Sequence, residues 1–148
     1  MRKTNSKNFW LAMAFCMVLP VLVNAQQVDR LRALARGEGT LVLDNDKYKL
    51  TGVYVVLKEN GEAEFRLFTD LQIYAQGQWS ASAESQTIDL KITGGVFKDD
   101  AKGTGKLVLR PDGKSIATLT GQGTSNTGEK FEVSFVAEEK DDAVRRKR

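Results

Sequence analysis

The stretch that decides the fold runs from Ala63 to Ala83 and reads A-E-F-R-L-F-T-D-L-Q-I-Y-A-Q-G-Q-W-S-A-S-A. Its odd-numbered positions are apolar or small almost throughout, whereas its even-numbered positions are mainly polar. A period of two places the two sets on opposite sides of a pleated strand, whereas a helix would scatter them round its axis. The stretch therefore predicts β-strands with one buried face.

The same period continues outward from this stretch, from Gly39 to about Ala137, between short turns that contain glycine. Closing such a sheet removes its adhesive edges, and short loops make consecutive strands antiparallel neighbours. We therefore predict an all-β fold, an antiparallel meander of eight to nine strands that forms an up-and-down barrel or a two-sheet sandwich. On pattern alone, this architecture is similar to the small calycin-like barrels over residues 39 to 137. The candidate strands are residues 39–44, 48–58, 62–68, 71–75, 77–83, 86–93, 103–110, 114–121 and 129–137.

Turn residues predict how neighbouring strands are aligned. Asn60-Gly61 and Asp112-Gly113 tolerate positive φ, so each favours a three-residue hairpin loop with glycine last. A further turn at Glu84-Ser85 explains why the apolar positions change from odd to even numbers after it. The expected pairs are Leu57 with Ala63, Val55 with Phe65 and Val53 with Leu67 in the first hairpin, Leu107 with Ala117 in the second, and Trp79 with Leu90 across the last turn.

The first 25 residues have the composition of a cleaved export signal. Arg2, Lys3 and Lys7 give a positive start, residues 9–23 are mostly apolar, and Ala25 precedes the expected cleavage. The whole chain has 22 basic and 19 acidic side chains, so removal of these three cations leaves the two charges balanced. The apolar run is shorter than the roughly 20 residues of a membrane span. We expect a periplasmic or secreted protein with no transmembrane span after cleavage.

Between this signal and the strands, residues 28–36 read V-D-R-L-R-A-L-A-R. Val28, Leu31 and Leu34 recur at helical spacing, and glycines follow. We predict a short amphipathic helix and linker over residues 26–38. A single β domain would then occupy residues 39–138, followed by a charged flexible tail over residues 139–148.

The chain contains no histidine, and its one cysteine, Cys16, lies in the expected signal. Zinc sites built on imidazole or thiolate, Ser-His and Cys-His nucleophile pairs and histidine-ligated haem are therefore excluded from the exported part. We expect no cofactor, no metal and no catalytic residue. Glu62, Glu64 and Glu84 leave a carboxylate-based hydrolase as a distant alternative.

The outward side of the second to fourth candidate strands is unusually apolar. If Val53 and Val55 face the core, the residues of opposite parity, which include every tyrosine of the chain, point away from it. Large exposed patches of this kind mark contact surfaces, unless the predicted helix or a second sheet covers them. We predict a surface for a small apolar ligand or a protein partner, which could be a second copy. Its residues are Tyr48, Tyr54, Arg66, Phe68 and Tyr74, and Leu50 and Val56 would also point outward.

Two further candidate sites follow. Trp79 and Leu90 would face the interior, where they form core or the wall of an apolar cavity. Arg145, Arg146, Lys147 and Arg148 end the chain after an acidic run, and four cations can hold an anionic surface weakly. No motif supports sequence-specific nucleic-acid binding.

These observations favour an exported, non-catalytic β-barrel or sandwich that works by binding. The alternatives are a structural or envelope-associated protein that assembles through its aromatic face and the carboxylate-based hydrolase. The sequence does not identify the ligand.

Overall fold

The computed structural model describes residues 29–95 and 101–139. Eight antiparallel strands follow one another in chain order and close into a barrel, in which the last strand pairs with the first. No residue of the two described ranges is helical. The strands are β1 (Asp29–Leu43), β2 (Asp46–Lys58), β3 (Glu62–Phe68), β4 (Gln72–Ala81), β5 (Thr87–Gly94), β6 (Ala101–Leu109), β7 (Ile116–Ser125) and β8 (Lys130–Ala137). The predicted meander is confirmed, and the closure selects the barrel over the sandwich.

Two of the nine candidate strands form a single strand, β4. The register of β4 against β5 shifts between Gln76 and Gly77, where a bend between two strands was expected. A Cβ added to Gly77 would lie 2.2 Å from the backbone oxygen of Lys91. Gly77 therefore marks a bulge at which two backbones approach closely, and the strand continues through it.

The predicted N-terminal helix is wrong for every described residue that it includes. Asp29 to Arg36 form the first half of β1 and pair with β2, from Asp29 opposite Lys58 to Arg36 opposite Gly52. Leu31 and Ala33 are buried in this half, whereas Arg30, Arg32 and Leu34 are exposed. The segment therefore also has a period of two, and pairing with β2 selects it over the helical spacing. Residues 26–28 lie outside the described residues.

The predicted registers are confirmed at two turns and wrong at the third. Leu57 pairs with Ala63 and Val55 with Phe65, and Trp79 pairs with Leu90. Gly61 and Gly113 both have the expected positive φ, of 91° and 67°.

In the third hairpin Leu107 pairs with Leu119, two positions beyond the predicted Ala117. The loop accounts for one of these positions, since Leu109 pairs with Ile116 and the Asp112 carboxylate accepts hydrogen bonds from the backbone N–H groups of Lys114 and Ser115, both at 2.8 Å. An irregularity in the pairing between Val108 and Leu109 adds the second position. A shift of two residues keeps every side chain on its side of the sheet, so the apolar pattern could not reveal it.

The inward side of β2 changes parity in the middle of the strand. Between the pairs Arg36–Gly52 and Gly39–Leu50, two residues of β1 lie opposite one residue of β2, and this bulge reverses the side on which the first half of β2 points inward. Leu50 is fully buried in the core, and Tyr48 packs against that core. The expectation that Leu50 and Tyr48 point outward is therefore wrong.

The interior is filled by large side chains that lie over glycines. A Cβ on Gly103 or Gly123 would come within 2.8 or 2.6 Å of the Phe131 ring, and one on Gly39 would lie 3.1 Å from the Phe135 Cβ. Phe131 and Phe135 are themselves 3% and 1% exposed. Inward glycines on β1, β6 and β7 thus provide the space that the rings of β8 occupy, which allows a narrow barrel to be closely packed.

Candidate binding face

A row of cross-strand neighbours runs over the outside of the barrel across its first four strands. Leu34 on β1 pairs with Tyr54 on β2, Tyr54 with Arg66 on β3, and Arg66 with Tyr74 on β4. Directly opposite residues in antiparallel strands lie on the same side of the sheet, so their side chains meet. Leu34 is 63% exposed and Tyr74 is 51% exposed. The row is therefore an accessible apolar and aromatic strip with one cation inside it.

The cation fixes the two aromatic rings. The Arg66 guanidinium carbon lies 5.4 Å from the centroid of the Tyr54 ring and 5.4 Å from that of the Tyr74 ring. Each distance is within the range of a cation–π contact. The Tyr74 hydroxyl also donates a hydrogen bond to Gln72 Oε1 at 3.2 Å. Arg66 therefore holds both rings in place on the outside of the barrel.

Phe68 extends this strip by one row. It pairs with Gly52, and a Cβ added to Gly52 would lie 3.3 Å from the Phe68 ring. The ring therefore lies against bare backbone. We call Leu34, Tyr54, Arg66, Phe68 and Tyr74 together the outer aromatic face.

Charged side chains border this face along the neighbouring row of cross-strand pairs, which contains Val56. Val56 pairs with Arg32 on one side and Glu64 on the other. Val56 points outward as predicted, although it is only 5% exposed. Arg32 donates to the Asp29 carboxylate, with Nη2 at 2.6 Å from Oδ2, and this hydrogen bond raises the pKa of Arg32. The border is therefore built from ion pairs at the surface.

Lys58 is the second charged centre of the border. Its Nζ lies 2.7 Å from Glu64 Oε1 and 3.4 Å from Glu62 Oε2. The hydrogen bond with Glu64 is the largest effect on Lys58 and raises its pKa. Partial desolvation lowers the pKa by less, so the net shift is upward. Both glutamates are about half exposed, at 51% and 55%. This is the geometry of a surface ion pair, and Glu84 lies apart from it in the turn between β4 and β5.

The structure brings together four of the five residues predicted for a partner surface. Tyr54, Arg66, Phe68 and Tyr74 are contiguous, whereas Tyr48 lies against the core and is not part of the face. Sequence reasoning missed Leu34, because it assigned this residue to a helix that would cover the face. The signal was present in the alternation of Leu31, Ala33 and Ala35 with the residues on the other side of the strand, which are Arg30, Arg32, Leu34 and Arg36.

The predicted cavity wall of Trp79 and Leu90 does not enclose room for a guest. The void among the core side chains, which Leu90 lines, measures about 20 Å³. That is about the space of one water molecule. Trp79 instead borders an open groove of about 350 Å³ at one end of the barrel, and its indole N–H donates to the Lys58 backbone oxygen at 2.7 Å.

Several predicted features cannot be placed. The signal over residues 1–25 and the cationic end from Arg145 to Arg148 lie outside the described residues. Residues 29–95 and 101–139 bring no three acidic, histidine or cysteine side chains together as a metal site. The same ranges include no apolar helix of bilayer-spanning length.

No protein-family model, no curated protein and no solved structure matches this chain. The function must therefore be inferred from the geometry of the barrel and its surface.

Proposed function

We propose that this protein is an exported, non-catalytic binding module that recognises a protein partner through its outer aromatic face. One observation carries the proposal: the row of Leu34, Tyr54, Arg66 and Tyr74 is apolar and aromatic apart from its one cation, preorganised by the Arg66 contacts and exposed at both ends. The export signal expected over residues 1–25 supports action outside the cytoplasm, and the four cations at 145–148 would add a weak attraction to anionic surfaces.

The chemistry of the face favours a protein over a small apolar guest. Tyrosine and arginine are enriched among the residues that dominate protein interfaces. Rings that are already held in one position lose little conformational entropy on binding. A small apolar guest needs an enclosing pocket, whereas the interior void measures about 20 Å³. We therefore place recognition on the outside of β1 to β4.

The proposal is tested by matched surface variants. Immobilised wild-type protein would be compared with Leu34→Ser plus Tyr74→Ser, and with the control Val136→Ser. Val136 is 59% exposed on β8, so the control removes exposed apolar surface away from the outer aromatic face. Proteins retained from the exported fraction of the source cells would be identified, and the purified partner would be titrated by calorimetry. We expect the double variant to weaken binding by at least about tenfold, as loss of central interface residues does, and the control to bind as wild type.

Equal affinity of all three proteins for the purified partner would contradict the proposal. The self-assembly alternative predicts a different result in sedimentation equilibrium. The wild type and the Val136→Ser control would both dimerise with rising concentration, and the double variant would remain monomeric.

A further inference from the structure

Arg66 is the cation in the middle of the outer aromatic face, and it has no anionic partner among the described residues. Its side chain is exposed. Over residues 29–95 and 101–139 the ion pairs are those of Arg32 and Lys58, and none includes Arg66. The contacts of its guanidinium are with aromatic rings. The face therefore carries one uncompensated positive charge.

The two rings leave the N–H groups of this guanidinium without an oxygen acceptor. Tyr54 lies on the β2 side of Arg66 and Tyr74 on the β4 side, each with its ring centroid 5.4 Å from the guanidinium carbon. A cation–π contact uses the charge of the group, whereas the N–H donors still need a lone pair. While the face is uncovered, water supplies that lone pair.

A partner that covers the face removes this water. The centre of a protein interface is desolvated, and an arginine stays charged there because its guanidinium cannot be deprotonated. A buried charge without a counter-charge costs a large free energy. The nearest row of charges on this chain gives no relief, since Glu62 and Glu64 already bind Lys58. The anion that compensates Arg66 must therefore come from the partner.

A side-chain carboxylate fits this position better than a carboxylate at the end of a chain. A planar carboxylate matches the fork of a guanidinium and can accept a pair of parallel hydrogen bonds. The row continues on both sides of Arg66, with Leu34 and Tyr54 on one side and Tyr74 on the other. A chain that ended at Arg66 would cover one side, whereas an internal acidic residue lets the chain cover both.

We infer that the partner presents an aspartate or glutamate side chain to Arg66 from within a segment whose apolar residues cover the rest of the outer aromatic face, which rests on the function proposed for that face. Tyr54 and Tyr74 keep the guanidinium in position while the carboxylate accepts its hydrogen bonds. An amide or a hydroxyl in the same place leaves the charge of Arg66 uncompensated. The cation therefore selects acidic partners over neutral ones.

Randomised peptide segments displayed on phage provide a probe that does not require the natural partner. Segments retained by immobilised wild-type protein are synthesised with both ends blocked, so that only a side chain can supply a carboxylate. We expect these peptides to contain an acidic residue between apolar ones. Each peptide and its counterpart with the corresponding amide are then titrated by calorimetry into the wild type, Arg66→Met and Arg66→Lys.

The control is Arg30→Met, which removes the same charge elsewhere. Arg30 is also exposed, and no ion pair joins it to a described residue. We expect the amide counterpart to bind the wild type at least about tenfold more weakly, since hydrogen bonds to charged groups contribute about that factor or more. Arg66→Met should lose as much and then no longer distinguish the two peptides. Arg66→Lys should also bind weakly, because it keeps the charge without the planar fork, and the control should bind as wild type.

Independent losses, in which Arg66→Met still distinguishes acid from amide by the full factor, would overturn the pairing. So would retained peptides without an acidic residue that lose affinity for Leu34→Ser plus Tyr74→Ser; the face would then bind partners without a carboxylate, and its proposed function would stand. Peptides that bind both this double variant and Arg66→Met as tightly as the wild type would contradict the function of the face together with the pairing.

Discussion

Individual side chains on the outside of the barrel are fixed by pairwise electrostatic contacts. Arg66 stands between Tyr54 and Tyr74, and Lys58 stands between Glu62 and Glu64. Exposed contacts of this kind contribute little stability each, because water and salt screen them. Their effect is to restrict side-chain geometry, which is what a preformed recognition surface requires.

The Lys58 contact predicts a pH dependence of stability. Its pKa lies above the ordinary value of 10.5, mainly because Lys58 donates to Glu64. A lysine whose pKa is raised by folding stabilises the protein fully below the unfolded pKa, and this contribution is lost as pH rises through the folded pKa. Lys58→Met should therefore lower the free energy of unfolding at pH 8, and its difference from wild type should shrink above pH 10.5.

Urea unfolding between pH 8 and pH 12, followed by circular dichroism, measures this difference. Lys49→Met is the matched control, since Lys49 is an exposed lysine of the same strand and no salt bridge joins it to a described residue. A deficit of Lys58→Met that stays constant across the whole range would contradict the assignment to the ammonium.

At the scale of single strands, alternation predicted most of the structure. It located β2 to β8 and gave the pairs of Val55 with Phe65 and Trp79 with Leu90. It was wrong at β1, because residues 28–36 satisfy both the helical and the strand period, and only the neighbouring strand decides between them.

Two other predictions were wrong because the apolar pattern of the sequence does not show where the pairing of two strands changes. The bulge opposite Thr51 reverses the parity of β2, and the Asp112 loop together with the irregularity after Val108 moves the pairing of β7 by two residues. Four of the five residues predicted for the partner surface are together, but the bulge turns Tyr48 toward the core, and the helix predicted over residues 28–36 concealed Leu34. A local propensity cannot report a register that depends on hydrogen bonds to a distant segment.

The glycines of β6 and β7 carry a prediction at this scale. A Cβ on Gly123 would lie 2.2 Å from the Lys102 backbone oxygen and 2.6 Å from the Phe131 ring. Gly123→Ala should therefore destabilise the fold by about 1–3 kcal/mol through overpacking. Gln122→Ala, on the outward side of the same strand, should change stability by less than about 0.5 kcal/mol. Urea denaturation of both variants provides the comparison, and equal stabilities would show that β6 and β7 can separate at no cost.

For the whole molecule, closure of the sheet around large side chains decides what kind of binding the barrel supports. Leu41 on β1 and Phe135 on β8 are 0% and 1% exposed, and the two strands pair directly beside them. The side chains where β1 pairs with β8 therefore belong to the same core as those of the other strands. Because side chains fill the interior, the barrel can recognise a partner only through its outer surface and its strand edges.

A filled interior predicts that a guest binds only when space is made for it. Leu119 is 3% exposed and lines the void of about 20 Å³. Leu119→Ala should cost about 2–5 kcal/mol and leave an apolar cavity. Such cavities stay dry and bind benzene-sized molecules. Saturating benzene should therefore raise the melting temperature of the variant in scanning calorimetry.

Two proteins serve as controls for the same experiment. The wild type should show no benzene-dependent rise, since its interior has no room. Leu71→Ala should also show none, because Leu71 is 71% exposed and its truncation opens no internal space. A rise of similar size in the wild type would mean that the core opens to admit a guest, and recognition would then have to be placed inside the barrel as well as outside it.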